Sequence, residues 1–201
     1  MRNTKITPNK LANDTTVKPI LPAELPTIID MLSEFASYAE TSEPLQNSVE
    51  KLSAAMFGNR SSLLGYIARQ NAAPAGMILG YETYSTFSGK GRLFIEDLFV
   101  RAKYRGHGFG LALVGAFARR ALAGGCVEVH WRVQEQNASG IRFYSSLGAT
   151  ITTEHRNCSL ADAALRALAE SFDPSAAPGS VASRCRPDYS LSSIRLAMER
   201  C

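Results

Sequence analysis

The chain of 201 residues, 45% of them hydrophobic, is long enough for one domain with a full core and ordinary in composition for a globular protein. Its net charge of +4 is mild. No run of about eighteen apolar residues marks a membrane span, and no dense Lys/Arg run interleaved with aromatics marks a nucleic-acid surface. The four cysteines are widely spaced with no C-x-x-C pair, and the three histidines lack metal-ligand spacing, so neither a disulfide framework nor a metal site is expected.

Residues 1–15 are polar and aperiodic, without the apolar core of a secretory signal, and are expected to be a disordered tail. A short strand at 16–20 ends near Pro19. Pro22 then opens a helix with Leu25, Ile28, Ile29, Leu32 and Phe35 on its apolar face. Asn47 or Ser48 caps a second helix reaching Phe57. Strands follow at 62–69, 75–85 and 93–100, separated by turn-rich gaps at 70–74 and 88–91, and should form an antiparallel meander. A helix over 109–122 carries Leu111, Val114, Ala118, Ala121 and Leu122 at spacings of three and four, and Gly124-Gly125 stops it. A strand at 126–133, a helix at 138–147 ended by Gly148, and a hairpin-like pair at 149–153 and 156–160 complete the pattern. Residues 161–171 read as helical, and 172–201, rich in Ser, Ala, Pro and Arg, as a loosely ordered extension. The expected organisation is one domain over 16–171. Its fold class is mixed α/β, α+β-like, with a mostly antiparallel central sheet and a parallel crossover over 93–133.

The chemistry centres on the turn between the strand at 93–100 and the helix that follows it. Arg105, Gly106, His107, Gly108, Phe109 and Gly110 bring glycines that let backbone approach a ligand to a helix start whose amides lack intrahelical partners. With the partial positive charge of the helix end, this is an anion cradle, and Arg101, Lys103 and Arg105 add formal charge around it. Such a turn also serves plain strand-to-helix packing, and its spacing matches neither the P-loop nor the dinucleotide fingerprint.

The turn resembles the R-x-x-G-x-G signature of the GNAT superfamily of N-acetyltransferases, with Arg105, Gly108 and Gly110 in the signature positions. The stretches Tyr84-Ser85-Thr86-Phe87, Ile95-Glu96-Asp97-Leu98-Phe99-Val100, Tyr104-Arg105-Gly106 and Phe143-Tyr144-Ser145-Ser146-Leu147-Gly148-Ala149 resemble the diamine acetyltransferase branch in order and nearly in spacing. The likeness covers about residues 16–160. It implies a fold in which the two parallel strands splay apart. It implies acetyl-CoA as donor, its pyrophosphate on the amides of 105–110 and its pantetheine along the backbone of Leu98, Phe99 and Val100, with Asn137 touching it. It further implies direct transfer to a small cationic amine, a cytoplasmic homodimer, and no nucleic-acid or membrane partner.

Amide formation from a thioester needs a neutral amine, a stabilised oxyanion and a proton for the leaving thiolate. By resemblance Tyr144 is the proton donor; spacing alone favours a core aromatic with a satisfied hydroxyl. Glu96 and Asp97 interrupt an apolar strand, and adjacent strand positions face opposite ways, so both reach one pocket only through a bulge. Glu96 is expected to take the amine's proton. Asp97 either draws in a second cationic group or is structural. Glu40 and Glu43 would extend the acidic wall, although Ala39 stands where the branch usually places an acidic residue. A diamine, a lysine-like amino acid and a drug amine all suit such a cleft. The alternatives are Cys126 as a nucleophile, which a buried strand start disfavours, and an acyl-CoA-binding module without catalysis.

Overall fold

The structure, a computed structural model, describes residues 14–39, 44–154, 158 and 161–171. The chain divides into two units, Met1–Ala149 and Thr150–Cys201. The first holds β1 (Thr15–Pro19), α1 (Leu25–Tyr38), α2 (Val49–Phe57), β2 (Leu64–Gln70), β3 (Ala73–Ser85), β4 (Lys90–Val100), α3 (Phe109–Ala123), β5 (Val129–Trp131) and α4 (Ala138–Ser146). The second holds α5 (Asp162–Ser171). The sheet order is β1-β2-β3-β4-β5, antiparallel except for the parallel pair β4–β5.

Local chemistry sets the boundaries. A 3₁₀ turn with Pro22 at its start leads into α1. Ser48 caps α2 by accepting from the Lys51 amide. The β2–β3 connection is tighter than the sequence predicts: Asn71 and Ala72, both at positive φ, make a two-residue hairpin turn.

Two apolar layers cover the sheet. Leu25, Ile28, Met31 and Leu52 of α1 and α2 pack with Ile67, Met77, Leu79 and Phe99 on one face. On the other, Phe109, Leu113, Phe117 and Ala121 of α3 pack with Ala68, Ile78, Leu93 and Ile95. The buried stripe of α3 therefore differs from the one expected: Leu122 is 75% exposed, and Phe109, Leu113 and Phe117 at successive four-residue steps outweigh it in area.

β4 changes face part-way along. Leu93 and Ile95 belong to the α3 layer, yet Phe99 belongs to the α1–α2 layer, a switch that strict alternation forbids. The register supplies the cause: Asp97 pairs with Leu79 and Ile95 with Gly80, which leaves Glu96 unpaired as a one-residue bulge. β5 pairs only with Leu93–Ile95, before the bulge. This limits β5 to Val129–Trp131, shorter than the strand expected over 126–133.

The strand expected over 149–153 does not form. Residues 150–153 are extended in composition but exposed and without a ladder partner among the described residues, and β-propensity without a partner does not make a strand. Most of its expected mate at 156–160, the tail before residue 14 and the extension at 172–201 lie outside the described residues.

Candidate active site

Past the bulge, the free edge of β4 and the start of α4 border one long cleft in two halves. The first, about 660 Å³, is lined by Leu98–Val100, the turn residues from Arg105 to Gly110 other than His107, and Phe143 and Leu147 of α4. The second, about 760 Å³, is lined by Ile95, Glu96, Trp131, Arg132 and Gln134. Phe35, Tyr38, Leu98, Asn137, Ser139 and Tyr144 line both and mark their junction.

The glycines of the turn do different work. Gly106 and Gly108 stand at φ +77° and +84°, a backbone conformation closed to most side chains, and Gly108 is the N-cap of α3. No side chain caps that end, so the first amides of α3 face the cleft unclaimed by the helix. Gly110 serves packing: a Cβ there would lie 3.2 Å from the Phe143 ring, so its hydrogen lets α4 close against α3.

The surrounding cations are less available than composition implies. Arg101 is bound to Glu34 at 2.7 Å and to the Pro74 carbonyl, tying α1 to the end of β4. Lys103 sits over the Tyr104 ring. Arg105 lies 3.9 Å from the centroid of the Tyr38 ring and donates through Nε to the Val100 carbonyl at 2.9 Å. His107 bonds the Arg105 carbonyl through Nδ1, which shapes the turn.

Asn137 caps α4, its Oδ1 accepting from the Gly140 amide at 2.8 Å and the Ser139 hydroxyl at 3.0 Å, while the residue also lines the cleft. Tyr144 packs against Trp131 and Phe143 at centroid distances of 4.8 and 5.2 Å. Burial pushes its phenol above the ordinary value, so the hydroxyl keeps its proton at neutral pH. Cys126 is buried beside Gly91, its thiol also raised chiefly by burial, the opposite of a reactive thiolate.

The bulge separates the two carboxylates in role. Glu96 is exposed and lines the second half. Asp97 is half-buried, pairs with Leu79, and is not among the lining residues of either half. Burial, and then the charge of Glu96, push Asp97 up to about 6 from 3.8. Below the lower value Asp97 is protonated folded or unfolded. As pH rises to 6 the unfolded chain ionises first, so folding loses stability and the loss is complete above 6. Asp97→Asn is accordingly expected to raise the melting temperature near pH 8, with the gain vanishing below about pH 4. A lower melting temperature near pH 8 would show instead that the ionised carboxylate makes favourable contacts. Glu40 and Glu43 lie outside the described residues.

Sequence reasoning did not single out Phe35, Tyr38, Trp131 or Arg132 as site residues. Phe35 reads only as part of a helix face. Trp131 and Arg132 give no motif, although a tryptophan in a short strand beside a splayed partner was the available signal.

A family model described as the Acetyltransferase (GNAT) family matches residues 25–149. The chain belongs to this family. The diamine-branch resemblance is matched as well. A thialysine N-epsilon-acetyltransferase of Sus scrofa is 32% identical over 135 residues, covering 63% of this chain and 79% of its own length. An L-ornithine N5-acetyltransferase of Arabidopsis thaliana is 39% identical over 94 residues, covering 47% of this chain; the match spans only 41% of the plant protein. Among solved structures, an aminoglycoside acetyltransferase from an uncultured soil sample, in complex with sisomicin, superposes with a TM-score of 0.65 at 19% identity, covering 76% of this chain and 100% of that one. At that identity the likeness concerns the GNAT fold. The mostly antiparallel sheet, the parallel β4–β5 pair and the flanking helices accord with it.

Proposed function

We propose that the chain is an acetyl-CoA-dependent N-acetyltransferase acting on the primary amine of a small cationic acceptor, a diamine, polyamine or lysine-like amino acid. The observation that carries this reading is the single cleft running from the glycine turn, past Tyr144, to Glu96. The turn suits the donor on the chain's own features: positive-φ glycines beside an uncapped helix start for the pyrophosphate, and the free β4 edge at Leu98, Phe99 and Val100 for strand-like pairing with pantetheine amides. When bound, acetyl-CoA supplies the activated acetyl group as a thioester.

The residues divide the remaining work. Arg105, Gly106, Gly108, Phe109 and Gly110, with Asn137 at the start of α4, hold and orient the donor, and His107 stiffens the turn. Tyr144, protonated and packed on Trp131, stands ready to give a proton to the departing sulfur. Glu96 attracts the ammonium and takes its proton, directly or through water. Asp97, behind it, keeps the local potential negative, which strengthens the preference for a cation. Relatives named for thialysine and L-ornithine support an acceptor with a side-chain amine.

The test is thiol release from acetyl-CoA by the full chain, across spermidine, short diamines, lysine analogues and aminoglycosides. Glu96→Gln keeps size and removes charge. It is expected to lower kcat/KM for the best amine at least tenfold, about 1.4 kcal/mol, with acetyl-CoA affinity spared. Wild-type amine kinetics in this variant would remove Glu96 from the mechanism.

A further inference from the structure

The acceptor half of the cleft is walled by rings more than by charge. Phe35, Tyr38, Trp131 and Tyr144 line it, and among its described lining residues the charged ones are Glu96 and Arg132. No second carboxylate stands among those residues to meet an ammonium at the far end of an acceptor. Phe35, Tyr38 and Tyr144 also border the donor half, so Trp131 is the ring, among the described residues, that borders the acceptor half alone. It is the last paired residue of β5, opposite Ile95, and the next residue of β4 is the bulged Glu96. Its indole meets the Tyr144 ring at a centroid distance of 4.8 Å, with the planes tilted by 49°, and packs against the core layer that holds Ile95. Trp131 is half-buried, which leaves part of the indole as cleft surface.

We propose that Trp131 is a specificity residue that reads the spacer of the acceptor: the preferred substrate carries its reacting amine on an unbranched apolar chain of several methylenes, and a second charge at the far end is not what is selected. This rests on the acceptor reading above and narrows it. An amine held by Glu96 and turned towards Tyr144 starts its carbon chain beside Trp131, because the indole touches Tyr144 and stands across the strand pair from the residue before Glu96. A flat indole covers several methylenes without demanding a fixed partner, and each methylene taken out of water adds to binding. A hydroxylated scaffold gains little on that surface and gives up water from its own polar groups. A terminal ammonium brings a desolvation cost that no second carboxylate among the described lining residues offsets.

The test is thiol release from acetyl-CoA by the full chain with n-propylamine, n-butylamine, n-pentylamine and n-hexylamine, and with cadaverine, which matches n-hexylamine in length but ends in an ammonium instead of a methyl. In the unmodified chain kcat/KM is expected to rise about twofold to fourfold per methylene, with n-hexylamine matching or exceeding cadaverine. Trp131→Ala is expected to flatten the series, and Trp131→Phe to keep most of its slope. Trp131 is the single tryptophan of the chain, so its fluorescence reports the contact directly. Titrating n-hexylamine into the CoA-bound protein should move the emission to shorter wavelength as the alkyl chain displaces water from the indole. A flat series in the unmodified chain, or a preference for cadaverine over n-hexylamine, overturns the proposal and leaves the acceptor reading intact. A Trp131→Ala variant that lowers kcat equally for every amine and keeps the slope makes Trp131 only a support for Tyr144 and overturns it too. Should that variant fail to fold, Trp131→Phe and the emission titration decide: n-hexylamine that saturates the enzyme without moving the emission overturns the proposal. No thiol release with any amine removes the acceptor reading along with it.

Discussion

Tyr144→Phe is expected to lower turnover about a hundredfold while acetyl-CoA affinity stays nearly unchanged. The substitution deletes one hydroxyl and keeps the ring, so the contacts with Trp131 and Phe143 survive. General acid catalysis contributes about 10²–10⁴-fold, and a thiolate is already a stable leaving group, which sets the expectation at the low end. Burial moves this phenol upward. The proton is thus held at neutral pH, and its transfer matters mainly in the transition state, so the loss falls on kcat. A tyrosine serving only the core predicts a different pair of results: up to about 1 kcal/mol of stability lost with its hydroxyl, and little change in rate. Steady-state kinetics and a thermal melt on one sample separate the two. Full activity with a lowered melting temperature would leave the enzyme without a named acid.

The sequence was most legible where local chemistry dictates backbone. Proline at the turn into α1, Ser48 at α2, the glycine turn and Gly148 after α4, at φ +80°, all mark boundaries close to those observed. The bulge was legible only as a condition, needed if both carboxylates were to reach one pocket; the register places it at Glu96, yet Asp97 does not line the cleft. What periodicity misjudged was area. The α3 stripe read as Leu111, Val114, Ala118, Ala121 and Leu122, but the aromatic Phe109 and Phe117 decide which face is buried.

Less visible were consequences of the bulge itself. Once β4 switches face, β5 loses its partner after Trp131 and the chain continues as cleft wall, so Trp131, the last paired residue, and Arg132 line the site. No local pattern encodes that; it follows from pairing between residues over thirty positions apart. The same holds for Tyr38, whose ring meets Arg105 across the cleft mouth. Charge was misleading for a related reason. Arg101 counts towards a basic turn in one dimension and is paired with Glu34 of α1 in three. If the turn holds the donor as proposed, it does so through oriented amides more than through net charge, in keeping with its uncapped helix start.

That dependence makes Gly108 the decisive position for donor binding. Gly108→Val is expected to weaken acetyl-CoA binding tenfold or more, equivalent to at least about 1.4 kcal/mol. Two costs combine. At φ +84° a β-branched residue is strained by roughly 1–3 kcal/mol, so the turn shifts towards conformations in which the amides of α3 no longer converge. The isopropyl group would also project where the proposed pyrophosphate approaches the backbone, since Gly108 lines that half of the cleft. Strain alone would lower the melting temperature without touching affinity in the molecules still folded, so both quantities need measuring on the same preparation. Gly106→Ala gives the internal comparison: a Cβ there meets nothing within 4 Å, so the smaller residue tests backbone conformation without crowding. If calorimetry on folded Gly108→Val returns wild-type acetyl-CoA affinity, the turn is a packing element, and the donor must be held by the β4 edge and α4 alone.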